Sequence, residues 1–580
     1  MSTGPRKPPR PGDLLGSAIN RSWRLPQKRN KVAVERGLPV PMRDGAILLA
    51  DHYAPLTPAP RPTVLMRSPY GRGWQFTMMA RPFAERGYHV VLQSARGTFG
   101  SGGTFTPGAY EAADGQDTVA WLRTQDWFSG RLATVGASYL AFVQWALMTD
   151  PPPELTAMAV HISPHDLAGA GFRNGAFELF NLLMWSDLMA RQEEVSALQG
   201  TWRMYRTDRR LAPVLRRLPV TRTADILEPG APWYAEWLRH PDPADPYWDG
   251  YRATTALDRV TVPTLLISGF HDFFVEQTMQ QYRALRDRGV PVGLTVGPWN
   301  HMSLDMGLAT RETLAWLDAY ADGNEGGTAN GSPRPQPVRA WTSGSRQWRE
   351  LPDWPPADAA PATWYLQPRG LLADAAPDSA AIATSFRYDP ADPTPSVGGR
   401  IMSMTGAGSR DNTALERRAD VLTFSTAPLT EPLEVAGVPV VRLYVSSDNG
   451  YCDIFARLCD VDQRGVSRNL TDQIVRLTPD RLTPGQATEV SLRLTDVSHL
   501  FLAGHRVRLQ VSGGAHPRFA RNLGTGEDPA TSTRLAPTTL HVLHNGDHPS
   551  ALSLPVRPSP TAAAHADESV TPAAKSAPAG

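Results

Sequence analysis

Four short apolar runs, "TVLMRSPY" (63–70), "HVVLQSARG" (89–97), "LATVGAS" (132–138) and "TAMAVHIS" (156–163), are separated by helix-patterned segments such as "DGQDTVAWLRTQ". The alternation returns at "TLLISGFHD" (264–272) and "VGLTVGPWNH" (292–301). Strands apolar on both faces, each followed by a helix, predict a parallel sheet covered by helices, an α/β architecture. Upstream, "VAVERGLPVPMRDGAILLADHYAP" carries Asp44-Gly45 between alternating runs, which predicts a hairpin. From 164 to 254 the alternation stops and helices such as "AFELFNLLMWSDLMARQEEVSAL" mix with loops rich in Trp, Tyr, Pro and Arg, the pattern of an inserted helical cap. After a Gly, Asn, Ser and Pro linker, many short alternating runs with turn signals, "PVRAWTSG" first among them, predict an antiparallel β-sandwich.

The expected organisation is a catalytic sheet domain over 32–163 and 255–325, the cap over 164–254 and the sandwich over 335–558. The Pro- and Ala-rich ends, 1–31 and 559–580, are expected to be disordered. A chain of 580 residues exceeds the roughly 250–300 at which single cores stop growing, so several domains are required. With 58 basic and 57 acidic side chains and no basic cluster in the folded part, nucleic acid is not an expected partner. No run reaches the ~18–20 apolar residues of a membrane span, and the basic N-terminus is followed only by the short "DLLGSAI", so no membrane association and a cytoplasmic location are expected. Cys452 and Cys459, seven apart on a strand-like run, point to opposite faces and are not expected to form a disulfide.

In an open parallel sheet, reacting groups gather at the carboxyl ends of strands. Ser138 lies there, in "TVGASYLAF", although Leu140 occupies the fifth place of the G-x-S-x-G elbow. A serine hydroxyl needs a neighbouring base that is itself oriented by an acid, and on such a sheet these follow in the order Ser, Asp, His. Asp272 and His301 each end a later apolar strand and complete that order. Taken singly, a turn serine, a helix-capping aspartate and a core histidine are the plainer readings; the joint ordering favours a triad. His271, adjacent to Asp272, points away from it on an extended segment. The Tyr139 amide, directly after the serine, is the first expected oxyanion donor. The second has no glycine-rich loop to supply it; Tyr70 in "SPYG" could donate its hydroxyl, or could simply be packed.

Together "SPYGR", "SARGTFGSGG", "EAADGQDTVAWLRTQDWFSGRLATVGASYLA", "GFHDFF" and "VGPWNH" resemble the cocaine-esterase (CocE/NonD) and X-prolyl dipeptidyl-peptidase group of serine hydrolases. "APLTEPLEVAG", "DIFARLCDVDQRGVSRNLTD" and "AGHRVRLQVSGGAHPRFARNLGTG" extend the resemblance into that group's jelly-roll domain. The resemblance implies Ser138 as nucleophile, His301 as base and then acid, Asp272 as orienter, and Tyr70 with the Tyr139 amide as the oxyanion hole. It also implies aromatic acyl-pocket residues, Trp185 from the cap and Phe274 beside the acid, whose plainer reading is core packing. Arg96 and Asp114 read as structural supports. Two positions depart from the pattern: Ala141 stands where glycine is usual, and Phe273 where a small residue is common.

The leading expectation is hydrolysis of small-molecule carboxylic esters with apolar or aromatic acyl groups, through an acyl-enzyme, with no cofactor and no metal. Oligomeric state is left open, homo-oligomers included. The alternatives are an X-prolyl dipeptidyl peptidase or β-lactam-type acylase on the same fold, and a non-catalytic binding protein. A peptidase of that kind must hold a free α-ammonium with buried carboxylates; Glu178 and Asp187 in the cap are the candidates, against a solvated helix face as the plainer reading.

Overall fold

The hairpin turns at Asp44 and Gly45, joining Val32–Pro41 to Ile47–Pro55 with Val40 opposite Leu48. Gly45 takes φ +87°, a left-handed conformation that a side chain disfavours. This is a computed structural model describing residues 20–57, 61–321, 333–378 and 383–558. The hairpin is one edge of a ten-stranded sheet, which continues through His89–Ser94, Thr63–Ser68, Leu132–Ala137, Leu155–His161, Thr264–His271, Val292–Asn300, Val338–Thr342 and Gln347–Leu351. Pairing is parallel from His89–Ser94 to Val338–Thr342. The near-continuous apolar runs serve two cores at once, because side chains alternate across the sheet. Val64, Met66, Val90, Leu92, Leu265 and Ile267 enter one core. Leu65, Val91 and Leu266 enter the other.

After His161 the chain leaves the sheet and returns at Thr264. In between it forms helices Leu179–Arg191, Ala197–Tyr205, Thr207–Leu215 and Trp233–Arg239, packed over the carboxyl ends of the strands. The C-terminal part is a β-rich domain of thirteen hydrogen-bonded strands around its own core, with Val441, Leu443, Phe501 and Leu509 at its centre. Cys452 and Cys459 are free and buried there, and burial pushes both thiols up to about 12. Among the described residues no helix is long and apolar enough to cross a membrane.

Two expectations need correction. "PVRAWTSG" does not open the sandwich: Val338–Thr342 pairs in parallel with Val292–Asn300 and then turns antiparallel into Gln347–Leu351. The first sheet therefore runs on to Leu351, past the expected boundary near 325. Period-two alternation identifies a strand but not which sheet edge receives it, and here an otherwise open edge does. Residues 20–31, assigned to a disordered tail, are tied down: Asn20 Nδ2 donates to Glu85 at 2.7 Å, and Arg311 donates to the Trp23 carbonyl. Residues 1–19, most of the linker and 559–580 lie outside the described residues.

A buried ionic network joins the β-rich domain, the cap and the catalytic sheet. Asp472 accepts from Arg518 at 2.7 Å, Arg457 at 2.9 Å and Arg400 at 3.3 Å. Arg518 also reaches Glu178 of the cap at 3.3 Å. Glu178 meets Arg173 at 3.4 Å, and Arg173 donates to the Phe273 carbonyl at 2.8 Å. Burial by itself would raise the Asp472 carboxyl, but the guanidiniums of Arg518, Arg457 and Arg400 outweigh it and hold that group well below the usual carboxylate range.

Asp472→Asn, which leaves buried Arg457 and Arg400 without their carboxylate and Arg518 with Glu178 alone, is expected to cost ~3–5 kcal/mol in denaturant unfolding. Because the folded-state value is depressed, the stabilisation is complete above the unfolded carboxyl value of about 4 and is lost as pH falls below it. Unfolding measured from pH 7 down to pH 3 should therefore be steeper in the wild type than in the variant.

Candidate active site

Ser138 sits between the strand Leu132–Ala137 and the helix Tyr139–Leu147 at φ 60°, ψ −123°. A non-glycine residue in that region is strained, and the strain lifts the side chain above the strand ends. The Ser138 amide donates to the His161 carbonyl at 3.0 Å, which helps hold the turn. Gly136 makes the turn sterically possible, since a Cβ there would lie 2.5 Å from the Leu140 carbonyl oxygen. Ala141 is fully buried and lets the helix approach the sheet.

The other two strand ends converge on this serine. His301 Nε2 lies 2.9 Å from Ser138 Oγ, and His301 Nδ1 lies 2.7 Å from Asp272 Oδ1. With the Nδ1 proton given to Asp272, Nε2 is left to accept from the serine hydroxyl. Asp272 is completely buried and takes two further bonds on Oδ2, from Ser268 Oγ at 3.0 Å and the Phe274 amide at 3.2 Å. Its orientation is thus over-determined. His271 stands apart from this pair, and burial pulls its imidazole down to about 4.

Tyr139 begins the helix, so its amide N–H has no partner one turn earlier. Its phenol serves elsewhere, donating to Glu111 at 3.0 Å and accepting from the Gly108 amide at 2.9 Å. The Tyr70 hydroxyl lies beside Ser138 and accepts from the Trp185 indole at 2.9 Å. Burial pushes the Tyr70 phenol up to about 12, so it stays protonated at neutral pH. An oxygen already accepting from Trp185 has its one proton free to donate. The expected supports also take their places: Arg96 pairs with Asp114 at 2.6 Å and Asp44 at 2.7 Å, under the loop that follows His89–Ser94.

Two cavities meet at the serine. The inner is a chamber of about 50 Å³ walled by Trp185, Trp237, Trp248, Phe273, Phe274 and Leu182. The outer is a cleft of about 490 Å³ containing Tyr70 and His301 and bordered by Trp74, Phe76 and Met204. Ser138, Trp185 and Met402 line both and form the neck between them. Trp185 and Phe274 thus border the inner chamber, with Phe273 narrowing it. Trp237, Trp248 and Met402 escaped the sequence reading. The aromatic density of "WYAEWLRHPDPADPYWDGYR" was a signal for the first two. Met402 had none, because it arrives from the C-terminal domain, held by its amide donating to Asn181 at 2.8 Å.

Among the described residues no carboxylate lines either cavity. Glu178 is matched to Arg518 and Arg173, and Asp187 to Arg203 and Arg210. Among the described residues no group of three or more His, Cys, Asp or Glu side chains forms a metal-ligand set.

Residues 44–303 match the family model of the X-Pro dipeptidyl-peptidase (S15 family), and residues 330–553 that of the X-Pro dipeptidyl-peptidase C-terminal non-catalytic domain. The chain is 32% identical to cocaine esterase of Rhodococcus sp. (strain MB1 Bresler), over 90% of this chain and 98% of that protein. It is 25% identical to a putative serine esterase of Mycobacterium bovis, over 89% and 94%. Among solved structures, an α-amino acid ester hydrolase superposes with a TM-score of 0.77 at 24% identity, over 96% of this chain and 100% of that one. An aminopeptidase from a marine sediment Thaumarchaeota archaeon gives 0.77 at 23% identity, over 96% and 99%. At those identities the two structures speak to the fold alone.

The Gly136→Ala chain, with its Cβ against the Leu140 carbonyl, is expected to displace the Ser138 turn. Labelling by a fluorophosphonate probe should slow by about a hundredfold, the usual effect of an ångström-scale misplacement, while far-UV circular dichroism stays native.

Proposed function

The chain belongs to the CocE/NonD and X-Pro dipeptidyl-peptidase (S15) family of serine hydrolases, and on that premise we propose that it hydrolyses carboxylic esters of apolar or aromatic acids through an acyl-enzyme on Ser138. Ser138 Oγ attacks the ester carbonyl carbon while His301 Nε2 takes its proton, and Asp272 stabilises the imidazolium. The developing oxyanion is received by the Tyr139 amide and the Tyr70 hydroxyl. As the intermediate collapses, His301 returns the proton to the departing alkoxide. Water then attacks the acyl-enzyme by the same route, which frees the acid and restores the serine. The acyl group occupies the aromatic inner chamber and the alcohol the outer cleft.

One observation carries the choice of ester over peptide: among the described residues, no carboxylate lines the cavities at Ser138. An α-ammonium group would enter an apolar chamber unpaired, at a cost of several kcal/mol. Glu178 and Asp187, the residues that could have received it, already face arginines.

Ser138→Ala is expected to lower kcat for p-nitrophenyl esters by about 10⁴ or more, with substrate binding retained. Tyr70→Phe should lower kcat ~10²–10³-fold with little change in KM, the signature of a donor used only in the transition state. In direct competition, an aryl ester should be consumed far faster than an Ala-Pro chromogen; preferential cleavage of Ala-Pro would replace this reading with the peptidase one.

A further inference from the structure

The outer cleft has a side niche of different character. Where the helix Leu179–Arg191 faces Ala197–Tyr205 and Thr207–Leu215, a cavity of about 20 Å³ is lined by Arg191, Arg203, Arg210 and Asp187. It shares Met184, Leu188, Gln192, Gly200 and Met204 with the cleft, so the two spaces adjoin along common walls. Arg210 approaches Asp187 with both terminal nitrogens, and Arg203 Nη2 lies 3.3 Å from each carboxylate oxygen. Arg191 stands 3.9 Å from Asp187 and 3.5 Å from Glu194, whose side chain is 66% exposed. Three guanidiniums thus face two carboxylates, one of them solvated, and a net positive charge remains. Arg210 Nε is buried with no hydrogen-bond partner among the described residues. Exposed Arg206 and Arg209 on the same helical pair add to the field.

We infer that this niche is an anion subsite for the alcohol half of the substrate, so that the preferred esters carry a carboxylate or similar anion on the leaving group. The inference rests on the placement of the alcohol in the outer cleft. Trp185, which touches Tyr70, and Gln192, which borders the niche, are seven residues apart on or just beyond one helix, about 10 Å at 1.5 Å per residue. An aromatic alcohol with an anion at its far end spans such a distance. A low-dielectric cleft wall focuses the arginine field toward it, and guanidinium recognises carboxylate through paired hydrogen bonds. An ammonium at the same end would be repelled.

The test compares 4-acetoxycinnamate with its primary amide, 4-acetoxycinnamamide, in wild type and Arg203→Gln; Asp187 keeps its Arg210 partner in the variant. The wild type is expected to show a KM for the carboxylate ester about tenfold below that of the amide, an advantage that shrinks as salt rises. Arg203→Gln should erase most of that ratio. Independently of the variant's folding, the product 4-hydroxycinnamate should inhibit the wild type about tenfold more strongly than 4-hydroxycinnamamide. Equal KM values and equal inhibition in the wild type would overturn the subsite while leaving ester hydrolysis standing, as would a KM ratio unchanged by Arg203→Gln. Turnover of neither ester would instead strike the reading beneath it.

Discussion

Arg518 holds the molecule together at the point where three parts of the chain meet. Its guanidinium spans Asp472 of the β-rich domain and Glu178 of the cap, all three fully or almost fully buried. Buried charges tolerate little displacement, because a lost partner leaves an ion in a medium that cannot solvate it. The network therefore fixes the two domains and the cap in one arrangement. From Glu178 it runs through Arg173 to the Phe273 carbonyl, one residue beyond Asp272. The segment carrying Asp272 and the wall of the inner chamber is thus tied to Asp472 and Arg518, about 200 or more residues downstream in sequence.

Within that frame the site divides its labour by polarity. The strained Ser138 turn, the over-determined Asp272 and the His301 between them lie on the sheet. Paired strands hold their ends in place, and geometry there has to hold within fractions of an ångström. The two chambers beside the serine are walled by aromatic side chains of the cap and of the loops beyond the strand ends, with Met402 from the C-terminal domain, and these give shape without charge. The hydrogen bond between Trp185 and Tyr70 couples the two layers, since a wall residue of the inner chamber also donates to the proposed oxyanion donor.

Much of this was legible in the chain because it depends on local spacing. Asp44-Gly45 announced its hairpin, the apolar runs their parallel sheet, and the strand-end positions of Ser138, Asp272 and His301 their convergence, since parallel strands bring every carboxyl end to one side. The strand Val338–Thr342 joins the first sheet, not the sandwich, because its alternation suits either and only the place open beside Val292–Asn300 decides. Residues 20–31 looked featureless because their order comes from contacts with Glu85 and Arg311, which composition does not encode.

By itself, then, the sequence determined the fold class and the candidate reaction machinery: the order of Ser138, Asp272 and His301 at strand ends follows from periodicity along the chain. Only the tertiary structure decided what that machinery can receive. Glu178 and Asp187 were open as ammonium ligands until folding brought arginines to both, and Trp237, Trp248 and Met402 became pocket walls only when distant segments met at Ser138. The physical reason is range. Secondary structure and strand-end placement arise from neighbours a few residues apart, whereas cavity shape and the pairing of buried charges are set by long-range contacts that no local pattern records.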